Sequence, residues 1–188
     1  MYRIREVDGN DDEIADTLAD LHSLTFFETA PIPEFDQGHW WLVFHDGVAV
    51  AFAGMVPSTR AHNAGYFCRV GVIRRHCGHA LQLRLLRATE WRARRKGWCR
   101  IVSDTTDNLV SANNFIRAGY RLYQPDYPWG WPNTLYWKNP SVVNRRGIDF
   151  ANFRTDYPPG GQMATGLFLF FRGALQSCAP AALVNLLK

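Results

Sequence analysis

The chain gives its few cysteines no recognisable spacing. Cys68, Cys77, Cys99 and Cys178 contain no C-x-x-C pair, so neither a zinc ribbon nor a dithiol redox centre is indicated. No secretory leader precedes the strand-like start Met1-Tyr-Arg-Ile-Arg-Glu, and together these features point to a reducing cytoplasm. Long hydrophobic runs are also missing. The most apolar stretch, 166–187, is interrupted by Arg172, Gln176 and Pro180, and its unbroken piece 167–171 falls far short of the roughly 20 residues a membrane span requires. Charge of one sign is scarce as well: the formal net charge is +4, too mild to decide on a nucleic-acid partner.

What is present suits one globular domain with a real core. Of 188 residues, 47% are hydrophobic, 14% aromatic and 20% charged, which excludes a disordered chain. The arginines concentrate between Arg69 and Arg100, a distribution that serves a polyanionic cofactor as readily as nucleic acid.

Residues 2–7 alternate, with Tyr2, Ile4 and Glu6 against Arg3, Arg5 and Val7, the pattern of a half-solvated strand. Asn10-Asp-Asp-Glu13 has the form of a capping box, and Ile14, Leu18, Leu21 and Leu24 follow at helical spacing, so a helix is expected to about Leu24. Pro31 and Pro33 forbid regular pairing in 25–38. Residues 40–45 and 48–56 are β-rich and joined by Asp46-Gly47, the dipeptide of a type I′ hairpin. A further strand, 65–73, runs into a cationic turn. From about Cys77 to Lys96, Leu81, Leu85, Leu86 and Ala88 share a helical face, and Gly97 stops the helix. Residues 98–103 read as a buried strand, 109–118 as a helix ending at Gly119, and 120–123 and 134–137 as strands that finish the sheet. The order β-α-β-β-β-α-β-α-β-β describes an α+β domain: a mixed, mostly antiparallel sheet flanked by helices, whose fourth and fifth strands lie parallel because a helix joins them.

The junction after the fourth strand carries the first functional signal. A strand that turns through glycine into a helix points unpaired N–H groups and the positive helix end at one spot, an anion site. Arg74 and Arg75 add fixed charge, and Gly78 removes a Cβ where a phosphate would approach. Arg75-x-x-Gly78-x-Ala80 resembles the R/Q-x-x-G-x-G/A pyrophosphate loop of the Gcn5-related N-acetyltransferases, the GNAT family. Asn108-Leu-Val-Ser111-Ala-Asn-Asn-Phe115-Ile-Arg-Ala-Gly119-Tyr120 resembles that family's later motif, in the right order and separation.

The resemblance covers 1–138. It implies the family's fold, with the fourth and fifth strands splayed; acetyl-coenzyme A as cosubstrate, with no metal; and direct attack of a primary amine on the thioester in a ternary complex. It further implies cofactor contacts from Val70, Gly71 and Val72 along the splayed edge, from Arg74, Arg75, Cys77, Gly78, His79, Ala80 and Leu81 around the pyrophosphate, and from Asn108, Ser111 and Phe115 along the arm. A backbone N–H near Val70 or Gly71 would meet the developing oxyanion.

An amine with a pKa of about 10.4 must lose a proton before it attacks. Relatives often place a carboxylate at the end of the strand that 98–105 represents, where Asp104 stands, with Glu28 and Asp36 behind it as candidates. Asp104 also reads as a turn residue ahead of Asn108, and Asn108 as the cap of the helix beginning at Leu109. Phe115 stands where many relatives carry a tyrosine as general acid. A thiolate with a pKa of about 8.5 leaves tolerably without a proton, and Tyr120 or Tyr123 is the available substitute. The acceptor itself is not specified. Phe27, Glu28, Asp36 and Trp40, with Phe35, Trp129 and Trp131, hint at a cleft for a cationic amine, whether of a small molecule such as a metabolite or an antibiotic or of a peptide N-terminus.

Three other readings compete. His76, Cys77, His79 and Cys68 suggest a metal, but H-C-x-H matches no zinc pattern. The arginine-rich helix with Trp91 and Trp98 suggests nucleic-acid binding, without a recognised motif. Phe115 suggests a family member that binds acetyl-coenzyme A without turnover. Residues 139–188 lie outside the resemblance: a Pro- and Gly-rich linker or arm over 139–162, with no repeat, and then a short apolar helix suited to docking on the domain or on a second copy in a homodimer.

Overall fold

A computed structural model describes residues 1–28 and 30–139. The expected linker and apolar helix beyond β7 lie outside the described residues. The elements are β1 (Tyr2–Val7), α1 (Asp12–Thr25), β2 (His39–His45), β3 (Val48–Pro57), β4 (Ala64–Val72), a 3-10 turn (Arg74–His76), α2 (Leu81–Lys96), β5 (Arg100–Thr106), α3 (Leu109–Arg117), β6 (Arg121–Leu122) and β7 (Thr134–Asn139). They match the expected order. The strands form one sheet in the order β1-β2-β3-β4-β5-β7-β6, antiparallel throughout except for β4 beside β5.

Alternation sorts the sheet's side chains into two cores. On one face, Leu18 and Leu21 of α1 cover Trp40, Leu42 and Phe52. On the other, Leu81, Leu85, Leu86 and Ala93 of α2, with Ala112 and Phe115 of α3, cover Trp41, Val43, Met55, Phe67, Ile101 and Trp137. The arginine-rich face of α2 is partly tied to β1: Arg92 pairs with Glu6, and Arg84 donates to the Tyr2 carbonyl at 3.0 Å. Those two arginines serve the fold, which weakens the nucleic-acid reading.

Several boundaries depart from expectation. The cap of α1 is Asp11 rather than Asn10; its carboxylate accepts the N–H groups of Glu13 and Ile14 at 3.0 and 3.2 Å, while Asn10 is bound to Asp8. The helix α2 begins at Leu81, not near Cys77, because Gly78 (φ +83°) and Ala80 (φ +55°) are left-handed and cannot continue a helix. The strand β5 begins at Arg100, later than the expected 98. Trp98 instead sits against Gly65, where a Cβ would come within 2.6 Å of the indole. The Asp46-Gly47 turn has both φ angles positive, as its hairpin requires.

Candidate functional site

The pairing of β4 with β5 is short. Ala64, Gly65 and Tyr66 register with Arg100, Ile101 and Val102, and beyond them the two strands part, although β4 runs on to Val72 and β5 to Thr106. A bulge contributes: Gly54 faces Arg69 while its neighbour Met55 faces Phe67, so Cys68 is the extra residue, which bends β4. Ile73 donates its N–H to the Val50 carbonyl at 3.0 Å, so the ladder's alternation turns the main-chain groups of Val70 and Val72 toward the open edge. Such donors and acceptors need a partner. Gly71 serves packing: a Cβ there would lie 2.2 Å from the Thr25 hydroxyl and 2.5 Å from the Phe52 ring, so its absence lets α1 settle on β4.

The open edge leads straight into the turn. Ala80, as N-cap of α2, offers no side-chain oxygen to the helix's first N–H groups, and among the described residues no protein group accepts the N–H of Gly78, His79 or Ala80. A Cβ added at Gly78 would meet nothing within 4 Å. Arg74 and Arg75 are exposed beside it. An uncapped helix start, unpaired amides, open space at Gly78 and two guanidiniums suit a diphosphate. Tyr2, His45, His76 and His79 wall one side; the Tyr2 hydroxyl lies 3.1 Å from Nδ1 of His76, and its ring centroid lies 4.5 and 5.1 Å from those of His45 and His79. Cys68 packs in the α1-side core, apart from His76, Cys77 and His79, so the four residues of the competing metal reading do not converge.

At the apex, where pairing stops, side chains bridge the two strands. Ser103 donates its hydroxyl to the Phe67 carbonyl at 2.8 Å. On the α1 face, the Tyr66 hydroxyl and the Trp129 indole N–H both donate to Oδ1 of Asp104, at 2.5 and 2.9 Å. Burial raises the Asp104 carboxyl above the ordinary carboxylate range, opposed by those two bonds and by the charges of Arg69 and Arg60. Burial likewise holds the Tyr66 phenol well above its usual value. The strand end expected to hold a base therefore holds a carboxylate fixed by one oxygen.

Other expected residues stand elsewhere. Asn108 caps α3, accepting the Ser111 N–H at 2.9 Å, and the Ser111 hydroxyl accepts from Gln82 at 2.8 Å, a bridge that Asn114 extends from α3 to the Gln82 carbonyl oxygen. These polar groups join α2 to α3. Phe115 is a core side chain, stacked on Trp137 with ring centroids 5.5 Å apart and packed edge-on to Phe67, which removes it from the cleft. Tyr120 is buried with it, its hydroxyl beside Asn139 and Thr89 and its pKa driven far upward by burial; a proton so held is of no use to a thiolate. Trp40 lies in the core against Phe35, at a position set by Gly54, whose missing Cβ accommodates the indole. Asp36 opens onto a separate polar pocket of about 370 Å³ shared with Glu6, His39 and Arg92. Phe27 and Glu28 are exposed after α1. Tyr66, Arg69 and Arg60, which no motif marks, are the residues that the fold gathers around Asp104.

The comparisons agree with this geometry. The acetyltransferase (GNAT) family model matches residues 11–120. No curated protein matches the chain. Among solved structures, the ribosomal-protein-S18-alanine N-acetyltransferase of Escherichia coli is similar at 12% identity and TM-score 0.60, over 80% of this chain and all of that one. A GNAT-family acetyltransferase of Streptococcus pneumoniae is similar at 13% identity and TM-score 0.57, over 74% of this chain and 98% of that one. A candidate streptothricin acetyltransferase of Bacillus anthracis, solved with acetyl coenzyme A, is similar at 12% identity and TM-score 0.55, over 74% of this chain and 97% of that one. At these identities the structures speak for the fold alone, but the family model spans more than half of the chain, from the cap of α1 to the exit of α3, and so includes both the turn and the parted strands: the protein belongs to the acetyltransferase (GNAT) family.

Proposed function

We propose that the chain transfers an acetyl group from acetyl-coenzyme A to a primary amine, with Asp104 as the base. The observation that carries the proposal is a juxtaposition: the open edge of β4 runs from the Tyr66–Asp104 bond at one end to the uncapped start of α2 at the other. Bound there, acetyl-coenzyme A supplies the activated acetyl thioester. Gly78, His79, Ala80 and Leu81 present main-chain donors to its diphosphate, with Arg74 and Arg75 adding charge. Val70 and Val72 offer their free main-chain groups to the amides of its arm, in the manner of an added strand. Asp104, anchored through Oδ1 by Tyr66 and Trp129, receives the amine's proton, directly or through one water. Buried Tyr120 and Phe115 supply no general acid, so the thiolate departs unprotonated or takes its proton from solvent.

The test is a thermal-shift titration with acetyl-coenzyme A on the wild type and on Arg75→Glu, followed by an amine panel with thiol release as readout. Stabilisation of the wild type that weakens in Arg75→Glu, together with turnover, supports the proposal. No stabilisation of the wild type sinks it, and stabilisation without turnover favours a binding protein.

A further inference from the structure

The wall around Asp104 does not have the acidic lining that the sequence suggests. Glu28 is exposed after α1, and Asp36 faces the pocket near Arg92. Cations take their place. Arg60, on the β3–β4 connection, lays its guanidinium over the Trp129 ring, 5.4 Å from the centroid, and the N–H of that same indole holds Asp104. Arg60 is exposed, and among the described residues no carboxylate pairs with it. Arg69, on β4 just past the last β4–β5 pair, lies over the Phe26 ring at 5.4 Å. It is oriented by the carbonyls of Pro31 and Cys68, at 3.4 and 3.3 Å. Both charges reach Asp104, where they oppose the effect of burial.

Resting on the acyl-transfer reading above, we infer that the acceptor is a small amine that also carries an acid group, a carboxylate above all, which docks on the Arg60 side of the cleft while its amine faces Asp104. A planar guanidinium matches a carboxylate through two parallel N–H bonds. A second ammonium in the same place would meet two positive charges and be disfavoured. The same cations lower the pKa of the amine that enters, which increases its nucleophilic neutral fraction.

The full chain is assayed by thiol release with matched acceptors: lysine against cadaverine, β-alanine against β-alaninamide, and 2-aminoethyl phosphate to separate phosphate from carboxylate. The acid-bearing member of each pair is expected to have the higher kcat/KM. Arg60→Gln should lower that value roughly 2- to 5-fold, the range of a solvent-exposed charge pair, through KM, leave β-alaninamide unchanged and improve the use of cadaverine. Arg60→Glu should turn the preference toward cadaverine. Because Arg60 is exposed and away from the turn, the thermal shift with acetyl-coenzyme A should survive in both variants. A preference for the phosphate over β-alanine keeps an acid group on the acceptor but overturns carboxylate as its kind. Equal or better use of cadaverine and the amide by the wild type, an Arg60→Gln effect spread evenly over all acceptors, or no turnover of any of them while acetyl-coenzyme A still stabilises the protein would each overturn the inference. Absence of that stabilisation would instead remove acetyl-coenzyme A binding itself, a separately visible failure.

Discussion

Gly78→Ala separates what a residue does for the fold from what it does for a ligand. Its φ of +83° is left-handed, yet a Cβ there meets nothing within 4 Å. In the unliganded protein alanine therefore costs only the backbone penalty, about 1–2 kcal/mol, or a Tm lower by about 2–8 °C for a chain of this size. With a diphosphate on the turn, the methyl takes up open space beside the Gly78 amide that the ligand would need. Losing one hydrogen bond to a charged group costs about 1.5–3 kcal/mol, a ten- to hundredfold rise in Kd at about 1.4 kcal/mol per decade. At acetyl-coenzyme A set to about 100 times the wild-type Kd, the wild type gains about 2.7 kcal/mol and the variant only about 0.4–1.4 kcal/mol. Thermal-shift titration of both proteins measures this directly. A ligand-induced shift in Gly78→Ala equal to that of the wild type, once the unliganded difference is subtracted, would refute the placing of the diphosphate at this turn.

Ala80→Gly should do the reverse: at φ +55° glycine relieves left-handed strain and raises stability by about 0.5–1 kcal/mol after its entropy in the unfolded chain is counted, with acetyl-coenzyme A binding retained, as melts with and without ligand will show. Asp104→Asn should lower kcat/KM by about 10²- to 10⁴-fold and abolish the acidic limb of the pH–rate profile. Because the folded protein holds this carboxyl above its ordinary pKa, its stabilising contribution is complete at low pH and is lost as pH rises through the raised value. An asparagine that still accepts from Tyr66 and Trp129 should therefore melt no earlier than the wild type at pH 8. Gly54→Ala would drive a methyl to within 2.3 Å of the Trp40 ring and should destabilise by about 1–3 kcal/mol or more in denaturant unfolding. His22 is buried against Phe26, and burial, with the charge of Arg69, lowers its pKa to about 4. The protein should accordingly lose up to about 3 kcal/mol as pH falls from 6.5 toward 4, a loss that His22→Leu should remove in pH-dependent melts.

Much of this molecule was legible locally. Asp46-Gly47 dictated a hairpin because it is one of the few pairs of common residues that take two positive φ angles cheaply. Gly97 dictated the end of α2, and the glycine and small residue after two arginines dictated a left-handed turn into a helix without a side-chain cap. These are properties of a few neighbouring residues, and they survive any tertiary arrangement. What lay beyond reach was every feature that depends on register between distant segments. Whether Asn108 and Ser111 touch a ligand or each other, and whether Phe115, Tyr120 and Trp40 line a cleft or fill a core, depends on which face of which helix meets which strand. The sequence by itself determined the order of elements, the cationic turn and a carboxylate at the end of β5. Only the tertiary structure decided that Tyr66 and Trp129 would hold that carboxylate and that Arg60 and Arg69 would stand beside it. The reason is physical: a turn's conformation comes from its own side chains and dihedral angles, whereas the environment of a charge is the sum of groups brought together from two strands and two connections distant in sequence.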